Sequence, residues 1–221
     1  MYFSIEGVIG VGKTTLARTL QPRFDANILL EVFEENPFLG NFYADRARYA
    51  FQTQMFFLLS RYYQQNRTVP SFVAEGKDLI SDYTFEKDAL FASINLRGDE
   101  LDMYYRIHEA LAEKMINPSL VVYLRASTET LMQRIMLRDR SYERNMEVGY
   151  IDELNRAYDG YYLSAQHRTP VLIVESDGRD FVHNTADVDW VEAEIRRELA
   201  NVPVQQQLPL ESAPAKLYNQ S

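Results

Sequence analysis

Residues 7–14 read Gly-Val-Ile-Gly-Val-Gly-Lys-Thr, which matches the pattern G-x-x-x-x-G-K-[ST] at every fixed position. The segment follows a short apolar run at residues 2–6 and opens a segment of helical periodicity at Lys13. A glycine-rich turn between a strand and a helix lets backbone N–H groups point inward around a phosphate, and the helix start adds its positive dipole end. The motif therefore predicts a phosphate-binding loop, or P-loop.

A nucleoside triphosphate and Mg²⁺ are the ligands that such a loop binds. Lys13 supplies a point charge for the β- and γ-phosphates, and Thr14 offers a hydroxyl to the metal ion. The alternative is a glycine turn that only links strand to helix and leaves Lys13 in solvent, but the motif and its context agree. The expected triphosphate site comprises Gly7, Val8, Ile9, Gly10, Val11, Gly12, Lys13, Thr14 and Thr15.

Short apolar segments alternate with longer segments of helical periodicity, which is the pattern of βαβ units around a parallel sheet. Strands are predicted at residues 2–6, 28–31, 79–82, 120–124 and 171–174. Helices are predicted at residues 13–24, 46–66, 99–117, 128–138, 151–167 and 188–201. The sequence therefore predicts an α/β fold with a five-stranded parallel sheet flanked by helices, in one domain over residues 1–201.

Composition limits the partners that the protein can bind. Lys and Arg total 23 against 32 Asp and Glu, and the net charge of −9 gives no general attraction to nucleic acid or anionic lipid. The absence of cysteine excludes disulfides and thiolate metal ligands and fits a reducing cytoplasm. We expect a cytoplasmic protein with no nucleic-acid or membrane partner. Residues 202–221 contain three prolines and no periodicity, which predicts a disordered tail.

Two acidic residues end predicted strands, where ligands of open α/β sheets bind. Glu31 ends the second strand and Asp82 ends the third. A carboxylate beside a hydroxyl acceptor can take its proton, and a carboxylate beside Mg²⁺ can hold the metal's waters. Position alone does not assign the two roles, and a solvated loop is the alternative for either acid.

Three arginines cluster at the end of the helix predicted at residues 128–138. Arg134 and Arg138 lie one turn apart, and Arg140 follows directly. Such a cluster can neutralise the oxygens of a transferring phosphoryl group. The alternative is a solvated helix whose arginines pair with Asp139 and Glu143. The intact P-loop favours the catalytic interpretation.

The aromatic helix at residues 46–66 is a candidate for reading a base and a sugar. Gln54 and Arg61 are seven residues apart and project from one face. Tyr43 lies eleven residues before Gln54 and joins that face if the helix, or a segment aligned with it, extends back so far. Phe56 and Leu59 are expected to be buried in the core or in a dimer interface.

Together these segments resemble the deoxynucleoside kinase family, particularly its bacterial deoxyguanosine and deoxyadenosine kinase branch. The resemblance spans about residues 2–185 and rests on GVIGVGKTT at 7–15, EVFEENPFLGNFY at 31–43, FQTQMFFLLSRY at 51–62, SDYTFEKDALFA at 81–92 and RIMLRDRSYE at 134–143. It implies a P-loop nucleoside kinase fold and transfer of the γ-phosphate of ATP or another NTP to the 5′-hydroxyl of deoxyguanosine or deoxyadenosine, with deoxycytidine third. It also implies Mg²⁺, nucleotide salvage and a homodimer formed by long helices such as 46–66.

The resemblance also implies roles for individual acceptor-side residues. Glu31 matches the general base that deprotonates the 5′-hydroxyl. Tyr43 and Glu143 match the pair that binds the sugar 3′-hydroxyl. Gln54 matches the amide that hydrogen-bonds the base, and Phe91 matches the aromatic ring stacked on it.

Further residues match the charged groups of the family. Arg61 and Asp88 match a pair at the base edge that accompanies purine or cytosine acceptance, so thymidine is not expected as a substrate. Asp82 matches a group that organises Mg²⁺. The arginines that match a short lid closing over the phosphates are Arg134, Arg138 and Arg140.

One departure concerns the charge near the acceptor. Many members have an acidic residue followed by Arg and Ser, whereas this chain reads Asp82-Tyr83-Thr84, which leaves one positive charge unaccounted for. Gln52 is an alternative to Gln54, although it points to another side of the helix. Two other functions fit a P-loop: a nucleoside monophosphate kinase, whose acceptor already carries a phosphate, and a subunit that binds nucleotide without catalysis.

Overall fold

Five parallel strands form one sheet in the computed structural model, which describes residues 1–144, 146–164 and 169–202. The strand order is β2-β3-β1-β4-β5, so the chain starts at the centre of the sheet and adds strands on both sides. The strands are β1 Tyr2–Glu6, β2 Asn27–Leu29, β3 Leu79–Ser81, β4 Leu120–Arg125 and β5 Val171–Glu175. The predicted α/β class and the five-stranded parallel sheet are confirmed.

Eight α-helices and one short 3₁₀ turn occur in the described residues. They are α1 Lys13–Leu20, α2 Leu39–Ala44, α3 Arg46–Ala74, α4 Lys87–Asn95, α5 Gly98–Ala112, α6 Thr128–Arg138, α7 Val148–Tyr162 and α8 Thr185–Asn201, with the 3₁₀ turn at Ser141–Glu143. None of these helices combines the length and the apolar character needed to span a bilayer.

Burial explains why the strands are continuous apolar segments. All five residues of β1 are buried, and Phe3 and Ile5 are fully enclosed. Helices therefore cover both faces of the sheet, as is typical of parallel sheets. Polar residues follow the strands at the carboxyl edge of the sheet. Glu31 and Asp82 lie just beyond β2 and β3, and not within these strands as predicted.

Helix α3 differs most from its prediction. It extends to Ala74 through Pro70, past the expected end at residue 66. Val69 is 1% exposed and packs in a cluster with Leu79 and Tyr83, so tertiary packing outweighs the backbone hydrogen bond that proline cannot make.

The start of α3 also corrects a prediction. Asp45 caps α3 by accepting a hydrogen bond from the backbone N–H of Arg48, and this cap separates α3 from α2. Tyr43 therefore lies on α2 and not on one continuous face with Gln54. Leu59 is 40% exposed in the single chain, which excludes the core for this residue and leaves the dimer interface as the untested alternative.

Other bounds differ for local reasons. Helix α1 ends at Leu20 because Pro22 has no N–H to continue the helical hydrogen bonds beyond Gln21, and α5 ends at Ala112, before the predicted end at 117. The predicted helix 151–167 begins earlier, at Val148, and its residues 165–167 lie outside the described residues. So does the predicted tail, apart from Val202.

Candidate active site

The P-loop joins β1 to α1 in a backbone conformation that side chains would obstruct. Gly7 has a φ of +147° and Gly10 a φ of +89°. A Cβ on Gly7 would lie 2.4 Å from the carbonyl oxygen of Leu124, and a Cβ on Gly10 would lie 2.9 Å from that of Leu131. No side chain caps the N–H groups of the first turn of α1, where Gly12 is the N-cap. Those N–H groups form an anion-binding end of the helix.

Lys13 lies half-buried over this loop. Its Nζ atom donates hydrogen bonds to the carbonyl oxygens of Gly7 at 2.7 Å and Val8 at 3.1 Å. Burial, followed by the positive charge of Lys87, lowers the pKa of Lys13 to about 8. An ammonium group with so little hydration interacts strongly with a negatively charged phosphate.

A buried carboxylate fixes the P-loop to the segment after β3. Glu6, the last residue of β1, accepts hydrogen bonds from the backbone N–H groups of Gly7 at 3.1 Å and Thr84 at 2.5 Å. Burial raises the pKa of Glu6, although the charges of Lys87 and Lys13 act in the opposite direction. The two loops that flank the cavity therefore share one anchor.

Asp82 links the P-loop to Glu31. Its Oδ2 atom accepts a 2.5 Å hydrogen bond from the Thr14 hydroxyl, and its Oδ1 atom accepts a 2.7 Å hydrogen bond from the backbone N–H of Glu31. A hydroxyl and one carboxylate fit Mg²⁺, which keeps several waters and uses few protein ligands beside substrate phosphates. No cluster of three acidic or histidine ligands occurs within the described ranges.

The carboxylate of Glu31 lies between two buried cations. Arg61 Nε donates to Oε1 at 3.1 Å, and its second terminal nitrogen contacts the same oxygen. Lys87 Nζ donates to Oε2 at 2.5 Å. Burial would raise the pKa of Glu31, but the charges of Arg61 and Lys87 outweigh it and hold that pKa well below its usual range. Glu31 is therefore ionised at neutral pH.

Arg61 also pairs with Asp88, which is fully buried at the start of α4. The Oδ2 atom of Asp88 and the Oε1 atom of Gln54 have no hydrogen-bond partner within the described part of the chain. Phe57 and Phe91 lie on the cavity wall beside Arg61. Of the predicted base-reading residues, Asp88 contacts Arg61, and Asp88 and Gln54 each carry a buried acceptor without a partner among the described residues.

The predicted sugar-binding pair comes together through the 3₁₀ turn. Tyr43 stacks on Tyr142 with ring centroids 6.3 Å apart and an interplanar angle of 12°. Glu143 is 5% exposed and accepts two hydrogen bonds from Arg138, at 2.7 and 2.6 Å, while Arg140 approaches to 3.7 Å. Arg138 and Arg140 therefore lie on the wall of the cavity with Glu143 as their shared counter-ion.

Arg134 differs from the other two arginines. Its guanidinium donates to the carbonyl oxygens of Val11 at 3.1 Å, Ser176 at 2.7 Å and Arg179 at 3.2 Å, and to the Ser176 hydroxyl at 3.3 Å. These contacts fix α6 to the P-loop and to the loop after β5. Helix α6 ends at Arg138, and the next residue, Asp139, has a left-handed φ of +45°.

One cavity of about 790 Å³ collects most of these groups. Its wall does not include four predicted site residues: Gly7 and Val8 contribute only backbone to the loop, and Gln54 and Asp88 are buried behind the surface. The predicted residues on the wall are Ile9, Gly10, Val11, Gly12, Lys13, Thr14, Thr15, Glu31, Tyr43, Arg61, Asp82, Phe91, Arg134, Arg138, Arg140 and Glu143.

Several wall residues were not predicted from the sequence. Lys87 directly precedes Asp88, but only the fold shows that it reaches Glu31. The loop after β5 adds residues 179–183, and Phe181 lies 3.9 Å from a Cβ placed on Gly12. Residues 179–183 could have been found from their position after β5, because polar residues that follow a strand at the carboxyl edge of the sheet are candidates for ligand binding.

A P-loop at the centre of a parallel sheet, with an ionised glutamate facing it across one cavity, defines a P-loop phosphotransferase. The sequence model for "Deoxynucleoside kinase" matches residues 3–201. The chain therefore belongs to the deoxynucleoside kinase family and is an ATP-dependent kinase.

Individual relatives agree with this family. The chain is 35% identical over 198 residues to a deoxyguanosine kinase of Bacillus subtilis (strain 168), which covers 88% of this chain and 96% of the relative. It is 30% identical over 176 residues to a deoxyadenosine kinase of Dictyostelium discoideum, covering 77% and 70%. A deoxyadenosine kinase from M. mycoides with bound dCTP shares the fold, with a TM-score of 0.78, 24% identity and coverage of 89% and 100%.

Proposed function

We propose that the protein transfers the γ-phosphate of ATP to the 5′-hydroxyl of a purine deoxynucleoside, with deoxyguanosine as the preferred acceptor. The observation that carries this proposal is the bridge made by Asp82, which binds the Thr14 hydroxyl with one oxygen and the Glu31 backbone with the other. The bridge puts a phosphate-binding loop and an ionised acceptor-side carboxylate in one cavity. Such an arrangement suits direct transfer between two bound substrates.

The chemical step uses Glu31 as the general base. The 5′-O–H bond breaks and its proton passes to the Glu31 carboxylate, while the 5′-oxygen forms a bond to the γ-phosphorus. The bond from that phosphorus to the β,γ-bridging oxygen breaks, and its electron pair stays on the ADP product. Lys13 and the N–H groups of the P-loop stabilise the β- and γ-phosphates during this exchange.

Mg²⁺, when bound, would supply positive charge that offsets the charge of the phosphates. Thr14 and Asp82 are the residues that would hold it. The contact between their oxygens supports this assignment, because both are hard ligands of the kind that Mg²⁺ prefers.

The sugar is proposed to lie against Tyr43 and Glu143. Burial raises the pKa of Tyr43 well above its ordinary value, so its hydroxyl stays protonated and can donate to the 3′-oxygen. Glu143 can accept from the 3′-hydroxyl. The preference for a deoxyribose is inferred from the family.

The two unpaired acceptors support a base that offers hydrogen-bond donors. Guanine presents the adjacent donors N1–H and N2–H₂ on its Watson–Crick edge, and its O6 accepts from a group such as Arg61. The Oδ2 atom of Asp88 and the Oε1 atom of Gln54 are buried acceptors that a donor would satisfy. Leaving such an atom unpaired costs about 1–3 kcal/mol. Phe91 supplies a ring on the cavity wall for stacking.

Arg138 and Arg140 are proposed to belong to a lid that closes over the transferred phosphate. Both lie on the cavity wall and are held by Glu143, which is itself a proposed sugar ligand. Sugar binding and the position of the two guanidinium groups are thereby coupled. Closure of such a segment excludes water and completes the set of cations around the phosphoryl group.

A nucleoside monophosphate kinase is a weaker alternative. An acceptor phosphate would need a free cation on the acceptor side, whereas Arg61, the guanidinium at the base edge, is already shared by Glu31 and Asp88. Glu31 itself would repel such a phosphate.

The test is a substrate panel. Purified protein with ATP and Mg²⁺ is given deoxyguanosine, deoxyadenosine, deoxycytidine, thymidine and each 5′-monophosphate, and ADP and nucleotide products are measured separately. We expect the highest kcat/KM with deoxyguanosine and no turnover of monophosphates. Glu31→Gln, prepared in parallel, controls for a contaminating kinase. Turnover of monophosphates alone would eliminate the proposal.

A homodimer is part of the same proposal. Leu59 is 40% and Tyr63 is 61% exposed on α3, and Met103 is 52% exposed on α5, which packs beside α3. Apolar side chains repeated at four-residue spacing on one helix face are typical of a helix-packing interface.

A further inference from the structure

Lys87 is a buried ammonium group that none of the roles above uses. It is the first residue of α4, is 5% exposed and lies on the cavity wall. Its Nζ atom donates to Glu31 Oε2 at 2.5 Å, the only hydrogen bond found for it among the described residues. A lysine ammonium carries three N–H donors. Two donors therefore have no protein acceptor in a site to which a phosphoryl group would come.

The position of Lys87 spans the two halves of the site. It contacts Glu31 on the acceptor side, and it shares the cavity wall with Lys13 of the P-loop on the phosphate side. Two cations on one cavity wall favour an anion between them. The phosphoryl group in transit from ATP to the 5′-oxygen is the anion that would enter there.

Tyr83 cannot supply the positive charge that an arginine at this position would bring to the acceptor side. It stands where the resemblance predicts an arginine, but it is fully buried in the cluster with Tyr2, Leu29, Val69 and Leu79. Its hydroxyl donates to Gln64 at 2.6 Å, and Gln64 donates to the carbonyl oxygen of Leu30 at 2.9 Å. Tyr83 therefore supports the end of β2 and carries no charge toward the cavity.

Three arginines of the wall have protein partners. Arg61 is shared by Glu31 and Asp88, and Arg134 donates to protein carbonyl groups. Arg138 is paired with Glu143. Lys87 differs from them because it contacts the acceptor-side base and still has donors to offer.

We propose that Lys87 is a further catalytic residue, whose ammonium group donates hydrogen bonds to the transferred phosphoryl group and neutralises the charge that develops on its oxygens. This inference rests on the proposed function. Lys87 keeps its own protons throughout; the proton of the 5′-hydroxyl still passes to Glu31, and the leaving electron pair still goes to ADP. Preorganised cations of this kind contribute to the transition state and not to substrate binding.

Four variants separate charge from structure. Lys87→Met removes both charge and donors, Lys87→Gln keeps a hydrogen bond to Glu31 without charge, and Lys87→Arg keeps the charge. Lys77→Met is the matched control, because Lys77 is 54% exposed and pairs only with Glu75 in the described ranges. Single-turnover rates are measured by rapid quench, and dissociation constants of ATP and deoxyguanosine are measured separately.

We expect Lys87→Met and Lys87→Gln to lower the single-turnover rate by roughly 10²–10³-fold, the usual effect of losing one such electrostatic group. The dissociation constants of ATP and deoxyguanosine should change little. Lys87→Arg should recover much of the rate, and Lys77→Met should behave as the native protein. A native rate in Lys87→Gln, or an effect confined to the dissociation constants, would show that Lys87 only holds Glu31 in place and would overturn the inference.

Two further outcomes are decisive. If Lys87→Met and Lys87→Gln both fail to fold, judged by circular dichroism and thermal melting, Lys87 is a stability residue and the inference is wrong. If the native protein does not phosphorylate deoxynucleosides at all, the proposed function fails first. A native protein that turns over deoxyguanosine, beside Lys87 variants of native rate, leaves the proposed function intact and removes only the role of Lys87.

Discussion

The Thr14 hydroxyl donates a 2.5 Å hydrogen bond to Asp82 Oδ2, although 68 residues separate the two in the chain. The pairing of β1 with β3 brings them together, because the carboxyl ends of these adjacent parallel strands meet at one edge. This contact unites the P-loop with the acceptor-side acid and defines the proposed metal site.

Substitution of Asp82 tests that site. Asp82→Ala should raise the Mg²⁺ concentration needed for half-maximal rate by roughly 10–100-fold, because one hard ligand or a ligand-orienting group is lost. Initial rates over a Mg²⁺ titration measure the effect, and chelation by EDTA should abolish turnover of the native enzyme. An unchanged Mg²⁺ requirement in Asp82→Ala would remove Asp82 from the metal site.

Substitution of Glu31 tests the general base. Glu31→Gln should lower kcat by roughly 10²–10⁴-fold, because an amide cannot accept the proton of the 5′-hydroxyl. ATP affinity, measured by isothermal titration calorimetry, should stay close to native because Glu31 does not contact the P-loop directly. Near-native turnover would refute the assignment.

Substitution of Asp88 tests base recognition. Asp88→Asn should raise KM for deoxyguanosine by roughly thirtyfold, equivalent to about 2 kcal/mol, because one buried acceptor is lost and Arg61 loses a counter-charge. Asp102→Asn on the exposed side of α5 is the matched control. Steady-state kinetics with deoxyguanosine and deoxyadenosine give the comparison. Equal KM values for the native protein and Asp88→Asn would exclude Asp88 from base recognition.

The lowered pKa of Lys13 predicts how ATP binding depends on pH. Phosphate binds the ammonium form, so affinity is fully present below the pKa of about 8 and falls as pH rises through it. The dissociation constant of a non-hydrolysable ATP analogue should increase by about tenfold for each pH unit above that value. Lys87→Met should move the fall to higher pH, since the charge of Lys87 is one cause of the shift. A flat profile between pH 7 and 9.5 would contradict this prediction.

The exposed face of α3 predicts the assembly state. Leu59→Glu should convert the dimer to a monomer, because burying a charge without a partner opposes association. Size-exclusion chromatography with light scattering measures the mass. Leu163→Glu, at an apolar side chain 48% exposed beyond α7, is the control. A native protein that is already monomeric would remove this part of the proposal.

The fold was predictable where one local pattern dominates. The P-loop, all five strands and α6 follow from apolar segments and glycines whose meaning does not depend on distant residues. Helices α2 and α4 were not predicted because they are short, and the cap at Asp45 competes with the helical pattern that runs through it. Packing against the Tyr83 cluster, which extends α3 through Pro70, is a tertiary effect that no local pattern contains.

The candidate site was predictable as a list of residues and not as a set of contacts. A strand end indicated Glu31, helical spacing indicated Arg61, and the family resemblance indicated Asp88. Their pairing depends on how α3 and α4 pack. The ion pair between Lys87 and Glu31 also depends on how α4 packs. Its sequence position suggests only a polar residue at a helix start.

Arg134 has a consequence for how the enzyme moves. Because its guanidinium is bonded to the P-loop and to the loop after β5, α6 belongs to the static framework of the molecule. In the proposed lid, a backbone rotation at the left-handed residue Asp139 therefore moves Arg140 and the 3₁₀ turn, whereas Arg138, the last residue of α6, reaches a bound nucleotide only by a change of its side-chain rotamer. Replacing Arg134 would loosen α6, so its loss should broaden the range of lid positions while both proposed phosphate-binding arginines remain.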